Sequence, residues 1–256
     1  MRVWSIANQT AGVGKTTASI VLGRLLAARG HQTLLLDLDP RGSLTSRFEI
    51  DPDSISSSIH NLFLDAAAKK RLEPSVHIVP TLYAGLSILP ASTSMAALEG
   101  RIGTGNGMGW VISRSLKALG DAYDYALIDT APIPDMLMVN AFAACEHLIV
   151  PVSCESLALD GLKRMLKVIE MINKSRQDNL RFTVVPTLFD RRSRASVKAL
   201  RELRERHPER IWKAAIPVES KLRGTSRTSA PLFDSISQSP AVNAYDKLLG
   251  LLLTIK

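Results

Sequence analysis

Apolar residues fall along this chain in short unbroken runs, and between the runs they return at helical spacing. The runs predict strands over Val3–Ala7, Thr33–Asp37, Val76–Val79, Ser87–Leu89, Tyr125–Asp129, His147–Val152, Phe182–Thr187 and Ile211–Ile216. A short apolar run without polar alternation is the mark of a strand covered on both faces. The intervening periodicity predicts helices over Lys15–Arg29, Met108–Leu119, Met136–Ala144, Ser156–Ile172, Arg194–Arg206 and Ala241–Leu252. Gly30 stands where a left-handed glycine would end the first of these. Strands alternating with helices predict an α/β fold, a mostly parallel, doubly wound sheet. Ser54–Ser58 and Gly100–Gly109 read as loops. Val242, Tyr245, Leu248, Leu249 and Leu252 form one stripe of the last helix, the pattern of a core-facing surface.

Composition sharpens this picture in three ways. A chain of 256 residues, 46% hydrophobic and 22% charged, can bury roughly three quarters of its unfolded surface in one core, so residues 1–256 are expected to form a single domain. The sequence has no 18-residue apolar run, and Met1-Arg2-Val3-Trp4 leads directly into a strand. A cytoplasmic protein without stable membrane insertion is expected. Cys145 and Cys154 lack the spacing of a redox or metal pair and adjoin buried-strand residues, and the histidines are scattered, so inert thiols and no structural metal are expected. The net charge of +8 is uneven: residues 163–227 hold 18 Lys/Arg against 7 Asp/Glu. Such a basic segment suits a polyanion, nucleic acid before membrane. Part of it is also a solvated helix face, since Arg201 and Glu205, like Glu202 and Arg206, sit at i,i+4.

The chemistry begins where the first strand ends. Asn8-Gln9-Thr10-Ala11-Gly12-Val13-Gly14-Lys15-Thr16-Thr17 is a glycine-rich loop opening into a helix. Gly12 and Gly14 let successive backbone N–H groups converge on a phosphate, Lys15 adds a charge for the β- and γ-phosphates, and the Thr16 hydroxyl can reach Mg²⁺. The helix dipole points its positive end at the same place. Two further carboxylate-bearing segments follow. Leu34-Leu35-Leu36-Asp37-Leu38-Asp39-Pro40 puts Asp37 and Asp39 at the carboxyl end of a buried strand, where parallel sheets bind ligands, although an Asp-Pro step is also a common turn. Tyr125-Ala126-Leu127-Ile128-Asp129 ends a second apolar strand in a carboxylate suited to a Mg²⁺-bound water. The nearest match to a guanine-reading motif, Asn173-Lys174-Ser175-Arg176, has Arg in the decisive place, so adenine is the expected base and ATP the expected nucleotide.

The loop resembles the Asn-Gln-Lys-Gly-Gly-Val-Gly-Lys-Thr-Thr loop of the ParA/MinD family of deviant Walker A ATPases, differing at Thr10 and Ala11. In that family a signature lysine at the position of Thr10 reaches the phosphates of a partner subunit, and a glycine at the position of Ala11 lets two loops approach. The resemblance implies a nucleotide-dependent homodimer with slow ATP hydrolysis, weakened here by those two residues. It implies that Thr10, Ala11, Gly12, Val13, Gly14, Lys15, Thr16 and Thr17 surround the phosphates, and that Thr16, Asp37 and Asp129 organise Mg²⁺. Asp39 would position the attacking water, with Lys15 beside it. Pro186 and Pro217 follow late strands whose backbone would border the adenine. Arg41 stands where the family usually has Gln, to meet phosphate or to face solvent. Lys221, Arg223 and Arg227, with Arg191 and Arg192 as neighbours, occupy places where related partition ATPases carry arginines for nonspecific DNA. Met1-Arg2-Val3-Trp4, Asp39-Pro40-Arg41-Gly42-Ser43, Phe189-Asp190-Arg191-Arg192 and the ending Leu252-Leu253-Thr254-Ile255-Lys256 are similar to the ParC-type branch. That branch implies a chemotaxis or polar adaptor as partner and a polar or nucleoid-associated location. Two further readings stay open: a hydrolysis-deficient scaffold and a plasmid or chromosome partition ATPase.

Overall fold

The computed structural model describes residues 1–98, 100, 107–155, 158–219 and 239–255. Seven strands form one sheet: β1 Arg2–Ile6, β2 Thr33–Leu38, β3 Val79–Pro80, β4 Leu86–Leu89, β5 Tyr125–Thr130, β6 His147–Ser153 and β7 Arg181–Thr187. Their order is β3-β4-β2-β5-β1-β6-β7, with every pairing parallel except β3 with β4. All side chains of β2, β5 and β6 are buried, as strands covered on both faces require. The helices are α1 Lys15–Ala28, α2 Ile59–Ala67, α3 Val111–Ala118, α4 Met136–Ala144, α5 Ala158–Asn173, α6 Arg194–Arg206 and α7 Pro240–Thr254.

Two apolar cores lie on opposite faces of the sheet. One gathers Trp4, Ile6, Leu22, Leu26 and Leu35 with Val242, Tyr245, Leu248 and Leu249, so α1 and α7 share a face. The other packs Leu34, Leu36 and Ile128 against Phe63 of α2, Ile112 of α3, Phe142 of α4 and Met165 of α5. The stripe expected on the last helix is buried in full. No helix among the described residues is long and apolar enough to cross a membrane.

Three local expectations are corrected. Residues 76–79 do not form one strand: Pro74 sets a 3₁₀ turn over Pro74–His77, and only Val79–Pro80 pairs, antiparallel at the sheet edge. Ile211–Ile216 is not a strand either; its Ile211 bridges Val184, and beyond it Pro217 bridges Phe189. Its apolar residues are instead anchored one by one, with Trp212 N–H on the Val184 carbonyl and Ile216 N–H on the Pro186 carbonyl, both 2.8 Å. Ser58, expected in a loop, caps a helix absent from the sequence reading. Its hydroxyl accepts from His60 N–H while Asn61 accepts from Ser58 N–H, a reciprocal cap that starts α2. Of Gly100–Gly109, residues 101–106 lie outside the described residues, and Met108–Trp110 is a 3₁₀ turn leading into α3. Residues 156 and 157, the expected start of α5, also lie outside them.

Candidate functional site

β1 has β5 on one side and β6 on the other, and the chain leaves it for β2 across β5. Its carboxyl end is therefore a crevice between diverging crossovers, the place where open parallel sheets take ligands. The glycine loop fills that crevice. Gly12 (φ 74) and Gly14 (φ 92) both adopt the left-handed conformation, which turns the chain from β1 into α1 and is costly for any residue with a Cβ. Asn8 fixes the loop from inside: its amide donates to the Pro151 carbonyl at 2.7 Å and its carbonyl oxygen accepts from Thr10 N–H at 2.9 Å. Thr187, at the end of β7, donates its hydroxyl to the Val13 carbonyl at 2.8 Å.

Within this frame Lys15 donates to the Thr10 carbonyl at 3.0 Å. Burial lowers its pKa, opposed by the charges of Asp129 and Asp39. Thr16 donates its hydroxyl to Asp129 at 2.7 Å, and Ser19, one helical turn further on, donates to the other oxygen at 3.1 Å. Burial, helped by the Asp37 charge, pushes Asp129 up to about 7. A buried carboxylate held beside a hydroxyl is a site that a divalent cation would relieve, and Thr16 with Asp129 are the oxygens that fit Mg²⁺. Asp37 lies opposite Asp129 in register. One of its oxygens accepts from Thr45 N–H and Oγ1 at 2.8 and 2.7 Å, the other from Asp39 N–H at 3.1 Å. Burial raises it to about 6. Asp37 thus ties down the loop after β2 through protein donors on both oxygens.

Asp39 is buried and its carboxylate is gripped by Arg41: Nε lies 3.1 Å from both oxygens and Nη2 2.7 Å from one. Asp39, Arg41 and Lys15 line a cavity of about 360 Å³ together with Gly12, Gly14 and Thr16. Thr187, Leu188, Ile216, Pro217, Glu219 and Tyr245 line it as well. The lining thus combines cations and a glycine loop with apolar residues, the two kinds of surface that phosphates and a base need.

The family comparisons agree with this geometry. An AAA-domain family profile matches residues 1–182. The chromosome partitioning protein ParA of Caulobacter vibrioides is 32% identical over 242 residues, covering 91% of this chain and 85% of the relative. The chain belongs to the ParA family of P-loop ATPases. The sporulation initiation inhibitor protein Soj of Bacillus subtilis is 29% identical over 244 residues, 94% of each protein. Among solved structures, cobyrinic acid a,c-diamide synthase from Mycobacterium smegmatis with bound ADP and magnesium superposes with a TM-score of 0.84 at 30% identity, covering 98% of this chain and 94% of that one.

Set in this ParA-family fold, the expected residues separate into three groups. Ala11, Gly12, Gly14, Lys15, Thr16, Thr17, Asp39 and Pro217 converge on the cavity, with Asp129 hydrogen-bonded to Thr16 beneath it. Thr10, Val13 and Pro186 do not line it. The Thr10 hydroxyl is buried against α5, where a Cβ built on Gly161 would lie under 3.0 Å from it. Val13 offers a carbonyl to Thr187 and buries its side chain. Pro186 precedes the lining pair Thr187 and Leu188 by one residue, and alternation along β7 sends its neighbour to the cavity instead. The third group is the basic one: Lys221, Arg223 and Arg227 lie outside the described residues. Arg191 is exposed, and Arg192 is 82% exposed and pairs with Asp190 at 3.1 Å. Cys145 and Cys154 are buried free thiols pushed up to about 12 and about 11 by burial, as inert thiols should be. Tyr245 and Arg47 also line the cavity. The apolar stripe around Tyr245 signalled only packing, and Arg47 belonged to no motif.

Proposed function

We propose that the chain is a deviant Walker A switch closest to the ParC-type branch, which binds Mg²⁺-ATP, dimerises with nucleotide bound and positions chemotaxis arrays or flagellar-pole machinery in the cytoplasm. The observation that carries the nucleotide-binding part of this reading is the convergence of Lys15, Thr16 and Asp39 on one cavity, with Asp129 hydrogen-bonded to Thr16. The likeness to a protein crystallised with ADP and magnesium supports the same nucleotide here. Lys15 and the loop N–H groups hold the phosphates, and Thr16 with Asp129 hold Mg²⁺, which screens the phosphate charge when bound. Asp39 orients a water whose oxygen bonds to the γ-phosphorus while the bond to the β,γ-bridging oxygen breaks. ADP keeps that electron pair, and the surplus proton leaves with phosphate or solvent.

Hydrolysis is slow in this reading because Thr10 carries no charge to a partner's phosphate and Ala11 adds a methyl where two loops meet. Nonspecific DNA is the second partner proposed, through Arg191 and Arg192 together with Lys221, Arg223 and Arg227; such binding weakens steeply with salt. The likeness to ParA of Caulobacter vibrioides favours a partition ATPase as the alternative cargo reading. Light scattering with and without Mg²⁺-ATP tests the switch: a monomer that becomes a dimer supports it, and a nucleotide-independent mass refutes it. A deletion strain with scattered arrays but normal chromosome inheritance separates the two cargoes.

A further inference from the structure

The ion pair between Arg41 and Asp39 is built unevenly. Asp39 is almost wholly enclosed, its side chain 4% exposed, whereas the Arg41 side chain is 61% exposed at the cavity mouth. The carboxylate is fixed from below as well, since the Arg41 backbone N–H donates to it at 3.0 Å, so only the guanidinium is free to swing. The guanidinium, being exposed, can turn from Asp39 to another anion at the cavity without first being stripped of water, and what the exchange costs is a donor to the buried carboxylate. A terminal phosphate presents the same two-oxygen edge to a guanidinium as a carboxylate does, with more charge.

We propose that Arg41 is a γ-phosphate sensor: it leaves Asp39 for the terminal phosphate of a bound nucleoside triphosphate and supplies from its own subunit a charge that Thr10 lacks. The proposal rests on the ATPase reading above and adds the sensing residue to it. The exchange also arms Asp39. A buried carboxylate that loses its guanidinium donors needs new ones, and the attacking water is the donor that the cavity admits. Sensing the third phosphate and seating the water are then one event. ADP, having no terminal phosphate to offer, leaves the pair closed.

The test is calorimetry of Mg²⁺-ATP and Mg²⁺-ADP binding, with single-turnover hydrolysis, on the full chain and on Arg41→Gln, Arg41→Lys and Lys15→Ala. Arg41→Gln is expected to weaken ATP about tenfold while ADP stays within about twofold, and to slow hydrolysis at saturating ATP at least about tenfold. Arg41→Lys should recover part of the ATP affinity, a selectivity that a merely structural residue would not show. An unchanged ratio of ATP to ADP affinity in Arg41→Gln overturns the sensor, as does faster hydrolysis, which would make Arg41 only a clamp on Asp39. Failure of the ATPase reading looks different: the wild-type chain would not bind Mg²⁺-ATP, or Lys15→Ala would bind it equally well.

Discussion

Gly161 is the residue whose replacement most directly probes how the phosphate loop is held. A Cβ added there would stand under 3.0 Å from the Thr10 hydroxyl and 3.6 Å from Thr10 Cβ. The second distance is ordinary contact; the first is not, and the hydroxyl is buried without a hydrogen-bond partner. Gly161→Ala in a helix interior should by itself stabilise by about 0.5–1 kcal/mol, through lost unfolded-state freedom and better propensity. Overpacking against a fixed neighbour costs about 1–3 kcal/mol. In the native background the substitution is therefore expected to be net destabilising by about 1 kcal/mol and to weaken nucleotide binding, because Thr10 must leave its χ1 well or shift the loop that Lys15 grips through the Thr10 carbonyl. Thr10→Ala removes the offending oxygen and leaves the ordinary contact, so Gly161→Ala in that background should stabilise. The coupling in the double-mutant cycle is then about 2 kcal/mol, well above the few tenths seen for independent sites. Urea unfolding of the four proteins measures it. Additive effects would mean that Thr10 does not pack on α5, and the explanation of its buried hydroxyl would fail.

Further outcomes follow from the same geometry. Asp39→Ala should keep Mg²⁺-ATP binding within about threefold while slowing single-turnover hydrolysis at least about tenfold, since a water-orienting carboxylate acts in the transition state; an unchanged rate would remove it from the chemistry. Thr10→Lys with Ala11→Gly should raise ATP turnover and the dimer fraction seen by light scattering, and no gain in either would make both natural residues neutral. His147 is held down to about 4 by burial, with Arg181 and Arg2 adding to the effect. Between about pH 6.5 and 4 the unfolded chain takes up a proton that the folded chain refuses, so this residue's share of stability, up to about 3 kcal/mol, is lost as pH falls through that window. His147→Gln should flatten this dependence in urea melts.

The strands at the middle of the sheet were legible because they are buried on both faces: Thr33–Leu38, Tyr125–Thr130 and His147–Ser153 are short runs dominated by apolar residues. The helix Ile59–Ala67 was missed: its apolar signal is only Ile59, Leu62 and Phe63, and the serines before it read as a loop when one of them is the cap. Ile211–Ile216 shows the opposite limit. Its apolar residues are buried like those of a strand, yet the segment pairs with β7 at one bridge only, and a run of hydrophobic letters cannot distinguish a ladder from anchored coil. In the site, Lys15, Thr16, Asp39 and Asp129 came from motifs because backbone geometry dictates their spacing. Tyr245 came from no motif, since only the packing of α7 on α1 brings it to Gly14. The direction of the Thr10 side chain was equally unreadable, for it depends on a gap that Gly161 leaves in a helix far along the chain.

At residue 10 the backbone and the side chain do different work. Two backbone groups of Thr10 hold the loop: its N–H is taken by Asn8 and its carbonyl by Lys15. Neither depends on the side chain, which points away from the cavity and into α5. A change from lysine to threonine there removes a charge and leaves the phosphate cradle intact. On the proposed ATPase reading, affinity rests on the cradle and Lys15 while hydrolysis needs charge on the transferring phosphoryl group, so the two are separable. Ala11 lines the cavity and is exposed to solvent. On the proposed dimer reading, both departures act where two loaded chains meet, and neither touches the contact between Lys15 and the Thr10 carbonyl.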